Sequence, residues 1–192
     1  AGFSGSDVDC LLHCSVSRDN LEPATSTCVH RKLGLPGTVL NFDISNACLG
    51  VLSGMLTAAS MIELGHIQSA LIVSGESAGS LLEATITRLN SDETLTRSTI
   101  KPHFASLTIG SAGAAVLLSC QQRTGSDHRL LGAASASDTQ ASHLCHGGSG
   151  YASTDLAGVT MHTEAEELLE RGVQLATCTW PKLKDKLGWD NS

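Results

Sequence analysis

The sequence contains few aromatic residues and few prolines, and it has no cluster of basic residues. Aromatic residues make up 3% of the 192 positions, and four prolines are present. The formal net charge is −7, and no run of lysine or arginine is available to follow a phosphate backbone, so we expect no nucleic-acid-binding surface. The longest apolar stretch, residues 49–64, is interrupted by Ser53, Thr57 and Glu63 and falls short of the roughly 20 apolar residues that cross a bilayer. We therefore expect no association with a membrane.

The cysteines do not have the spacing of a disulfide framework. There are seven, so they cannot all pair with one another, and the first ten residues lack the basic and apolar regions of a secretory signal peptide. These features predict a soluble protein of the reducing cytoplasm. The group HLCH at residues 143–146 has no second ligand pair at a suitable spacing, so we expect neither a bound metal nor a resident cofactor. The sequence begins without methionine, which indicates that upstream residues are missing.

The rest of the sequence alternates between apolar runs and helical patterns. Apolar residues make up 41% of the chain, which is enough for a sizeable core. We predict five strands, at residues 7–18, 38–44, 69–74, 112–120 and 129–137. We predict helices that begin at Pro23, Cys48, Ser80 and Thr163. Strands separated by helices predict an α/β layered fold with a largely parallel sheet.

Three local patterns add detail to this prediction. The helix at residues 48–64 is apolar nearly all round, so we expect it to be buried on most sides. Thr163 and Glu166 have the spacing of a capping box at a helix N-terminus. Residues 140–158 are rich in Gly, Ser and His and are predicted to form a loop.

Cys48 is the first candidate nucleophile. It lies in the sequence NACLG at residues 46–50, between a predicted strand and a predicted helix. A helix N-terminus favours the reactive thiolate form of cysteine, and the backbone N–H of Cys48 could donate to an oxyanion. The alternative is that Cys48 is a small buried core residue, as most free cysteines are.

Ser77 is the second candidate nucleophile. The sequence GESAG at residues 75–79 follows a predicted strand directly and matches the G-x-S-x-G elbow of α/β-hydrolases. The letters HGG at residues 146–148 resemble the oxyanion loop of those enzymes, but they come after the nucleophile rather than before it. A serine esterase that uses Ser77 is the alternative from another class of enzyme.

The region that contains Cys48 resembles the thiolase superfamily, specifically the ketoacyl-ACP synthase III-like condensing enzymes. From Val39 it reads VLNFDISNACLGVLSGMLTAASMIELGHIQSALIVSGES. In that family the reactive cysteine follows a strand and starts a buried helix, and a second core strand ends in Gly-Glu or similar. The segments DVDCLLHCSVSRDNLEPATSTCVHRKLGL, IGSAGAAVL and MHTEAEELLERGVQLATCTW resemble further family elements in the same order, so the resemblance covers nearly the whole chain.

This resemblance implies a thiolase-like layered αβαβα fold, of which the chain is an incomplete part. Residues 1–138 would form the later part of the N-terminal half, which carries the nucleophile. Residues 139–192 would form the connecting loop and the opening helix of the C-terminal half. The catalytic His and Asn of the family would lie beyond residue 192, so the chain alone is expected to be inactive.

Within the family, the likeness is greatest to the bacterial enzymes that condense two long-chain fatty acyl-CoAs head to head in hydrocarbon biosynthesis. It rests on NACLG around the nucleophile, on IGSAGA in place of a Gly-Asp-Gly turn, and on NLEP at residues 20–23. In that subfamily a glutamate of this segment reaches the active site of the partner subunit, and Glu22 matches its position. The resemblance therefore implies a homodimer in which Cys48 is the nucleophile and Glu22 is a possible base. The alternative for Glu22 is an exposed acid favoured by the dipole of the helix that follows.

The reaction that the resemblance implies is a Claisen condensation. Cys48 would take an acyl group from acyl-CoA or an acyl carrier protein, and a second acyl thioester would then attack it to give a β-keto product. A decarboxylative 3-oxoacyl-ACP synthase III of fatty-acid synthesis is the alternative within the family, and it would need no strong base. A catalytically incomplete scaffold is the non-enzymatic alternative.

Overall fold

The computed structural model describes residues 2–20, 22–123, 125–149 and 159–190. The chain divides into two compact units, Ala1–Ser77 with Ser111–Leu130, and Ala78–Gly110 with Leu131–Ser192. The strands are β1 (Cys10–His13), β2 (Leu40–Asp43), β3 (Ser69–Glu76), β4 (Ala112–Ser119), β5 (Cys145–Ser149) and β6 (Val159–Thr163). The helices are α1 (Thr25–Lys32), α2 (Gly50–Glu63), α3 (Gly79–Ser91), α4 (Phe104–Thr108) and α5 (Ala165–Leu187). Among the described residues, no helix is long and apolar enough to cross a membrane.

The first unit contains a four-stranded sheet in the order β2-β1-β3-β4. Strands β2, β1 and β3 are parallel, whereas β4 is antiparallel to β3, so the prediction of a largely parallel sheet is confirmed except at this edge. Alternate residues of β1 are buried on opposite faces of the sheet. On one face, Leu11 packs with Val39 and with Val29 of α1. On the other face, Leu12 and its neighbours pack against α2. Helices on both faces explain why the strand sequences are unbroken apolar runs, and they confirm the predicted layered α/β architecture.

One face of α2, formed by small residues, lies against the sheet. Gly50, Gly54 and Ala58 are the buried residues of this helix, and they are four positions apart. The prediction that α2 is buried on most sides is wrong for this chain, because Leu52 remains 57% exposed. A single sheet can cover only one side of a helix, so the apolar character of the other side is not satisfied within the first unit.

Helix α1 begins two residues later than predicted, at Thr25 rather than at Pro23. Its N-cap residue, Ala24, has no side chain that can accept a hydrogen bond from the first turn. The carboxylate of Asp43 does this instead, accepting from the N–H of Thr25 at 3.0 Å and from that of Ser26 at 2.8 Å. Because this cap comes from a neighbouring strand, local sequence could not place the start of the helix.

The second unit contains α3, α4, a two-stranded antiparallel ribbon of β5 and β6, and α5. The predicted loop at residues 140–158 is wrong over Cys145–Ser149, which forms β5; residues 150–158 lie outside the described part of the chain. Gly147 allows this pairing, since a Cβ there would come within 2.8 Å of the carbonyl oxygen of Thr160. The capping box is also wrong, because Thr163 belongs to β6 and Glu164 is the N-cap of α5.

The predicted strand at residues 129–137 is wrong as well. These residues form neither helix nor strand, although all of them are described. A strand requires a neighbouring strand that pairs with its backbone, and this apolar run has none among the described residues. The two units are defined by compactness, whereas the predicted boundary at residue 138 separates the N-terminal from the C-terminal half of the family fold. That boundary stays a prediction.

Candidate active site

Cys48 lies on a short 3₁₀ turn, Ala47–Leu49, that leads directly into α2. The hydrogen bonds of this turn run from the N–H of Leu49 to the carbonyl oxygen of Asn46 and from the N–H of Gly50 to that of Ala47. Among the described residues, none accepts a hydrogen bond from the N–H of Cys48, so this group could donate to a substrate oxygen. Cys48 therefore lies between strand and helix as predicted, but α2 begins two residues later than predicted, at Gly50 rather than at Cys48.

The backbone around Cys48 has an unusual conformation. Ala47 has a φ of 43°, in the left-handed region that costs a residue with a Cβ about 1–2 kcal/mol. The preceding Asn46 donates from its side-chain nitrogen to the hydroxyl oxygen of Ser53, 2.8 Å away in the first turns of α2. The turn is thus held on one side by the helix that it precedes.

The exposure of Cys48 distinguishes it from two cysteines of β1 and its C-terminal end. Cys48 is exposed, whereas Cys10 and Cys14 are buried. Burial, with a smaller contribution from the Asp9 carboxylate, raises the pKa of Cys10 to about 11. Burial also raises the pKa of Cys14, with the charge of Asp43 acting in the same direction. Since the thiolate is the nucleophilic form, these two residues are inert core residues, whereas Cys48 is accessible, as are Cys145 and Cys178 in the second unit.

Small residues bring α2 and its N-terminal turn close to the sheet. A Cβ at Gly54 would lie 2.7 Å from the Sγ of Cys14 and 2.9 Å from the Cγ2 of Ile72. At Gly50, a Cβ would collide with the carbonyl group of Cys14. Neither contact leaves room for a side chain, so these glycines fix the height of Cys48 above the C-terminal end of β1.

Glu22 lies in the connection between β1 and α1, three positions before the helix begins. Its side chain is exposed and forms no hydrogen bond or ion pair with another described residue. The structure therefore places Glu22 and Cys48 in the same compact unit, and the described residues show no hydrogen bond between them.

The parallel strands carry polar side chains at their C-terminal ends that the sequence analysis did not single out. Asp43 ends β2 and is 3.5 Å from the Nδ1 of the buried His13, which ends β1. Burial acts to raise the pKa of Asp43, but hydrogen bonds from the backbone of Ser26 and Thr25, and then His13, hold it below its ordinary value. The signal that could have found Asp43 is an acid at the end of an apolar strand, in the sequence LNFD.

Glu76 ends β3 and has a related role. Its carboxylate oxygens accept hydrogen bonds from the backbone N–H of Val16 at 2.7 Å and of Ser17 at 2.9 Å. The hydroxyl oxygen of Ser15 accepts from the N–H of Gly75 at 2.7 Å. These bonds tie the chain that leaves β1 to the end of β3.

Ser77 does not have the geometry of a hydrolase nucleophile. Among the described residues other than glycine, only Ala47 has a positive φ, so Ser77 is not on the strained turn that the elbow requires. Its backbone N–H and carbonyl oxygen contact the hydroxyl of Ser17, and in the described part of the chain no histidine is hydrogen-bonded to its side chain. The resemblance to a serine esterase is therefore confined to the sequence letters.

A group of histidines lies in the second unit. The rings of His146 and His162 stack with their centroids 5.1 Å apart, and His103 lies edge-on to His162. Burial, and then the charges of Arg88 and His162, lower the pKa of His103, which Asp92 partly opposes. In the part of the chain that the structure describes, no three His, Cys, Asp or Glu residues are arranged to hold a metal ion.

Comparisons with known proteins agree with this fold. The family model for 3-oxoacyl-[acyl-carrier-protein (ACP)] synthase III matches residues 42–139, which is slightly more than half of the chain. The acyl-CoA:acyl-CoA alkyltransferase of Shewanella oneidensis is 36% identical over 191 residues, which is 98% of this chain and 54% of that protein. The enzyme of the same name from Xanthomonas campestris is 35% identical over 182 residues, or 95% of this chain and 51% of that protein. The chain thus spans about half the length of the curated relatives that it matches.

Solved structures of Xanthomonas campestris OleA superpose on most of the chain. A glutamate-to-glutamine variant gives a TM-score of 0.87 at 33% identity, with 98% of this chain and 52% of OleA covered. A cysteine-to-serine variant with bound lauric acid and lauroyl-CoA gives a TM-score of 0.85 at 32% identity, with 97% and 52% covered. The substituted glutamate and cysteine of OleA are separated by the same number of positions as Glu22 and Cys48 are here. The chain has the thiolase-like α/β fold of these structures and belongs to the 3-oxoacyl-[acyl-carrier-protein] synthase III family.

Proposed function

We propose that the complete protein to which this chain belongs is an acyltransferase that joins two acyl thioesters by a Claisen condensation. The observation that carries the proposal is the position of Cys48, an exposed thiol on a strained turn at the N-terminus of α2. A reactive thiolate benefits from the positive end of a helix dipole, and the free N–H of Cys48 can stabilise the oxyanion of a tetrahedral intermediate. The proposal is supported by the relatives, which are named acyl-CoA:acyl-CoA alkyltransferases, and by the fold that the chain shares with OleA.

The proposed reaction has two steps. The Cys48 thiolate attacks the carbonyl carbon of a first acyl thioester, and the C–S bond to CoA or to the acyl carrier breaks, with the thiolate of that carrier as leaving group. A carbanion at the α-carbon of a second acyl thioester then attacks the acyl-Cys48 ester. The new C–C bond forms as the bond to Cys48 Sγ breaks, which gives a β-keto thioester and regenerates the thiolate.

We propose that Glu22 is the base that removes the α-proton of the second substrate. An acyl-CoA without a carboxyl group cannot form a carbanion by losing CO₂, so a base must take this proton, and a carboxylate within hydrogen-bond distance is suited to it. Glu22 is exposed and has no partner within the described part of its own chain, as expected of a group that acts in the active site of a second subunit. The proposal thus includes a homodimer, and its substrates are long-chain acyl-CoAs, in line with the lauroyl-CoA bound by the OleA variant.

A second candidate function is decarboxylative condensation with a malonyl thioester. The family model that matches residues 42–139 and the 28% identity over 175 residues to the β-ketoacyl-[acyl-carrier-protein] synthase III of Paramagnetospirillum magneticum favour it. The two functions differ in what they need from Glu22, because loss of CO₂ generates the carbanion without a base. The catalytic His and Asn of either function would lie beyond residue 192.

We also propose that the protein works in the cytoplasm, where its seven free cysteines stay reduced.

The complete gene product should be incubated with lauroyl-CoA and digested for peptide mass spectrometry. We expect a lauroyl adduct on Cys48, none on Ser77, and a β-keto product without any malonyl substrate. The variant Glu22→Gln should form the adduct but make at least about 100-fold less product, since general base catalysis contributes about 10²–10⁴-fold. Product that appears only with a malonyl thioester and is accompanied by CO₂ would favour the second candidate. An adduct on Ser77 would contradict both.

A further inference from the structure

We propose that Asp43 and Glu76 are positioning residues that hold Glu22 in place, by fixing the two ends of the segment that carries it. The inference rests on the proposed role of Glu22 as a base. It concerns two carboxylates at the C-terminal ends of neighbouring strands, β2 and β3, on either side of β1 in the sheet. Neither residue has the exposure of Glu22, and each is engaged with backbone N–H groups.

The upstream end of the segment is fixed by Glu76. Its two oxygens accept from the consecutive N–H groups of Val16 and Ser17, at 2.7 and 2.9 Å. A carboxylate that accepts two backbone N–H bonds forms a bidentate, charge-assisted contact, which is stronger and more directional than a single neutral bond. The chain leaving β1 is therefore fixed in direction before residue 18.

The downstream end is fixed by Asp43 in the same way. Its oxygens accept from the consecutive N–H groups of Thr25 and Ser26, the first residues of α1, at 3.0 and 2.8 Å. The side chain of Asp43 is only 9% exposed, so water competes little for these bonds. The stretch between the two contacts is residues 18–24, in which Glu22 is three positions from the Asp43 contact.

This geometry matters because a base that serves another subunit has to extend from its own subunit and still reach a defined atom. A misplacement of about 1 Å can cost a catalysed step on the order of 100-fold in rate. Glu22 has no contact of its own that would orient it within the described residues. Its placement therefore depends on the described backbone at residues 16–17 and 25–26, which is where the two carboxylates act.

Asp9 provides a matched control within the same sheet. Its Oδ2 also accepts from two consecutive backbone N–H groups, those of Gln68 and Ser69, at 2.8 and 3.0 Å. Asp9 precedes β1, and Ser69 begins β3, so this contact lies at the N-terminal ends of the parallel strands, opposite to the edge from which the Glu22 segment leaves. Loss of this contact should affect the stability of the sheet without affecting Glu22.

The experiment compares Asp43→Asn, Glu76→Gln, Glu22→Gln and Asp9→Asn in the complete protein, with the two chemical steps measured separately. Acylation of Cys48 by lauroyl-CoA is followed by intact-mass spectrometry in a single turnover, and condensation by release of the β-keto product. We expect Asp43→Asn and Glu76→Gln to acylate within about 2-fold of the unmodified protein and to condense at least about 10-fold more slowly. Combined with Glu22→Gln, neither should cause a further loss. Asp9→Asn should leave the ratio of the two rates unchanged.

A merely structural role would slow acylation and condensation together, or would multiply the loss caused by Glu22→Gln, and either result would overturn the inference. If Asp43→Asn does not fold, Glu76→Gln alone carries the test, since its contacts lie on the exposed loop rather than at a helix. Normal condensation by Glu22→Gln would refute the role of Glu22 and the positioning inference with it. Impaired condensation by Glu22→Gln with normal rates for both anchor variants would refute the positioning inference alone.

Discussion

Gly54 of α2 lies against Cys14 at the end of β1, so closely that a Cβ at position 54 would be 2.7 Å from the Cys14 sulfur. Both residues are buried, and Ile72 of β3 closes the same contact from the neighbouring strand. The bare backbone of Gly54 thus lets the helix lie directly on the sheet. Cys48 is less than two turns upstream, so the depth of this contact sets the position of Cys48 relative to the sheet.

Gly54→Ala is expected to destabilise the protein by about 1–3 kcal/mol, which is the usual effect of overpacking a tight contact. Alanine has the higher intrinsic helix propensity, so a loss of stability would have to come from the contact with Cys14 and Ile72. Thermal melting of the complete protein measures the effect. Gly79→Ala, at a position where nothing lies within 4 Å, serves as the control and should be neutral or slightly stabilising. Equal melting temperatures for the two variants would contradict the contact.

The buried thiols of Cys10 and Cys14 should resist alkylation under native conditions. A pKa of about 11 for Cys10, against an ordinary value of 9.0, reduces its thiolate fraction about 100-fold at pH 8, and burial denies access to the reagent as well. Iodoacetamide at pH 8, followed by peptide mass spectrometry, should label Cys48 while leaving both residues unmodified. Denaturation before labelling should make all three react. Native labelling of Cys10 at the rate of Cys48 would contradict the burial of β1.

The Asp43 contact should make stability depend on pH in the acid range. Its pKa is lower in the folded protein than in the unfolded chain, so the folded state binds fewer protons and the stabilisation is complete above about pH 4. It is lost as the pH falls through the folded-state pKa. Asp43→Asn should therefore be less stable than the unmodified protein at pH 7, and the difference should shrink as the pH falls below about 4. Urea unfolding across this range measures it, and a difference that does not change with pH would contradict the assigned charge state.

The sequence predicts the parts of this molecule that depend on local patterns. Strands β1 and β3 are apolar without alternation because both of their faces are covered, and this same property identifies them in the sequence. The position of Cys48 between strand and helix follows from the pattern around it in the same way. By contrast, residues 129–137 are apolar but have no strand beside them, and β5 contains glycines that a pattern reads as loop.

The candidate site depends on contacts that no local pattern contains. Asp43 caps a helix that begins 18 positions earlier, and Glu76 binds a loop that leaves another strand. Each of these carboxylates looks like an ordinary acid at the end of a strand until the sheet places it next to its partners. Sequence alone can therefore suggest Cys48 and, through family resemblance, Glu22, whereas the two carboxylates that we propose to position Glu22 are identified only from the fold.

Ala47 offers a test of whether strain beside Cys48, the proposed nucleophile, serves the proposed reaction. Its φ of 43° is favourable for glycine and unfavourable for residues with a Cβ, most of all β-branched ones. Ala47→Gly should leave the melting temperature unchanged or raise it, whereas Ala47→Val should destabilise the protein by more than about 1 kcal/mol. The control Ala59→Gly, within α2, should destabilise by about 0.5–1 kcal/mol, because a regular helix disfavours glycine.

The rate at which Cys48 is acylated shows whether the strained backbone at Ala47 contributes to the reaction. Glycine at position 47 relieves the unfavourable φ but allows the turn more conformations, so the Cys48 thiol and its N–H are held less firmly. We therefore expect Ala47→Gly to be acylated by lauroyl-CoA several-fold more slowly, on the order of 10-fold, in spite of its undiminished stability. A glycine variant that is equally stable and equally fast would show that the left-handed turn is only a way for the chain to enter α2, with no part in presenting the nucleophile.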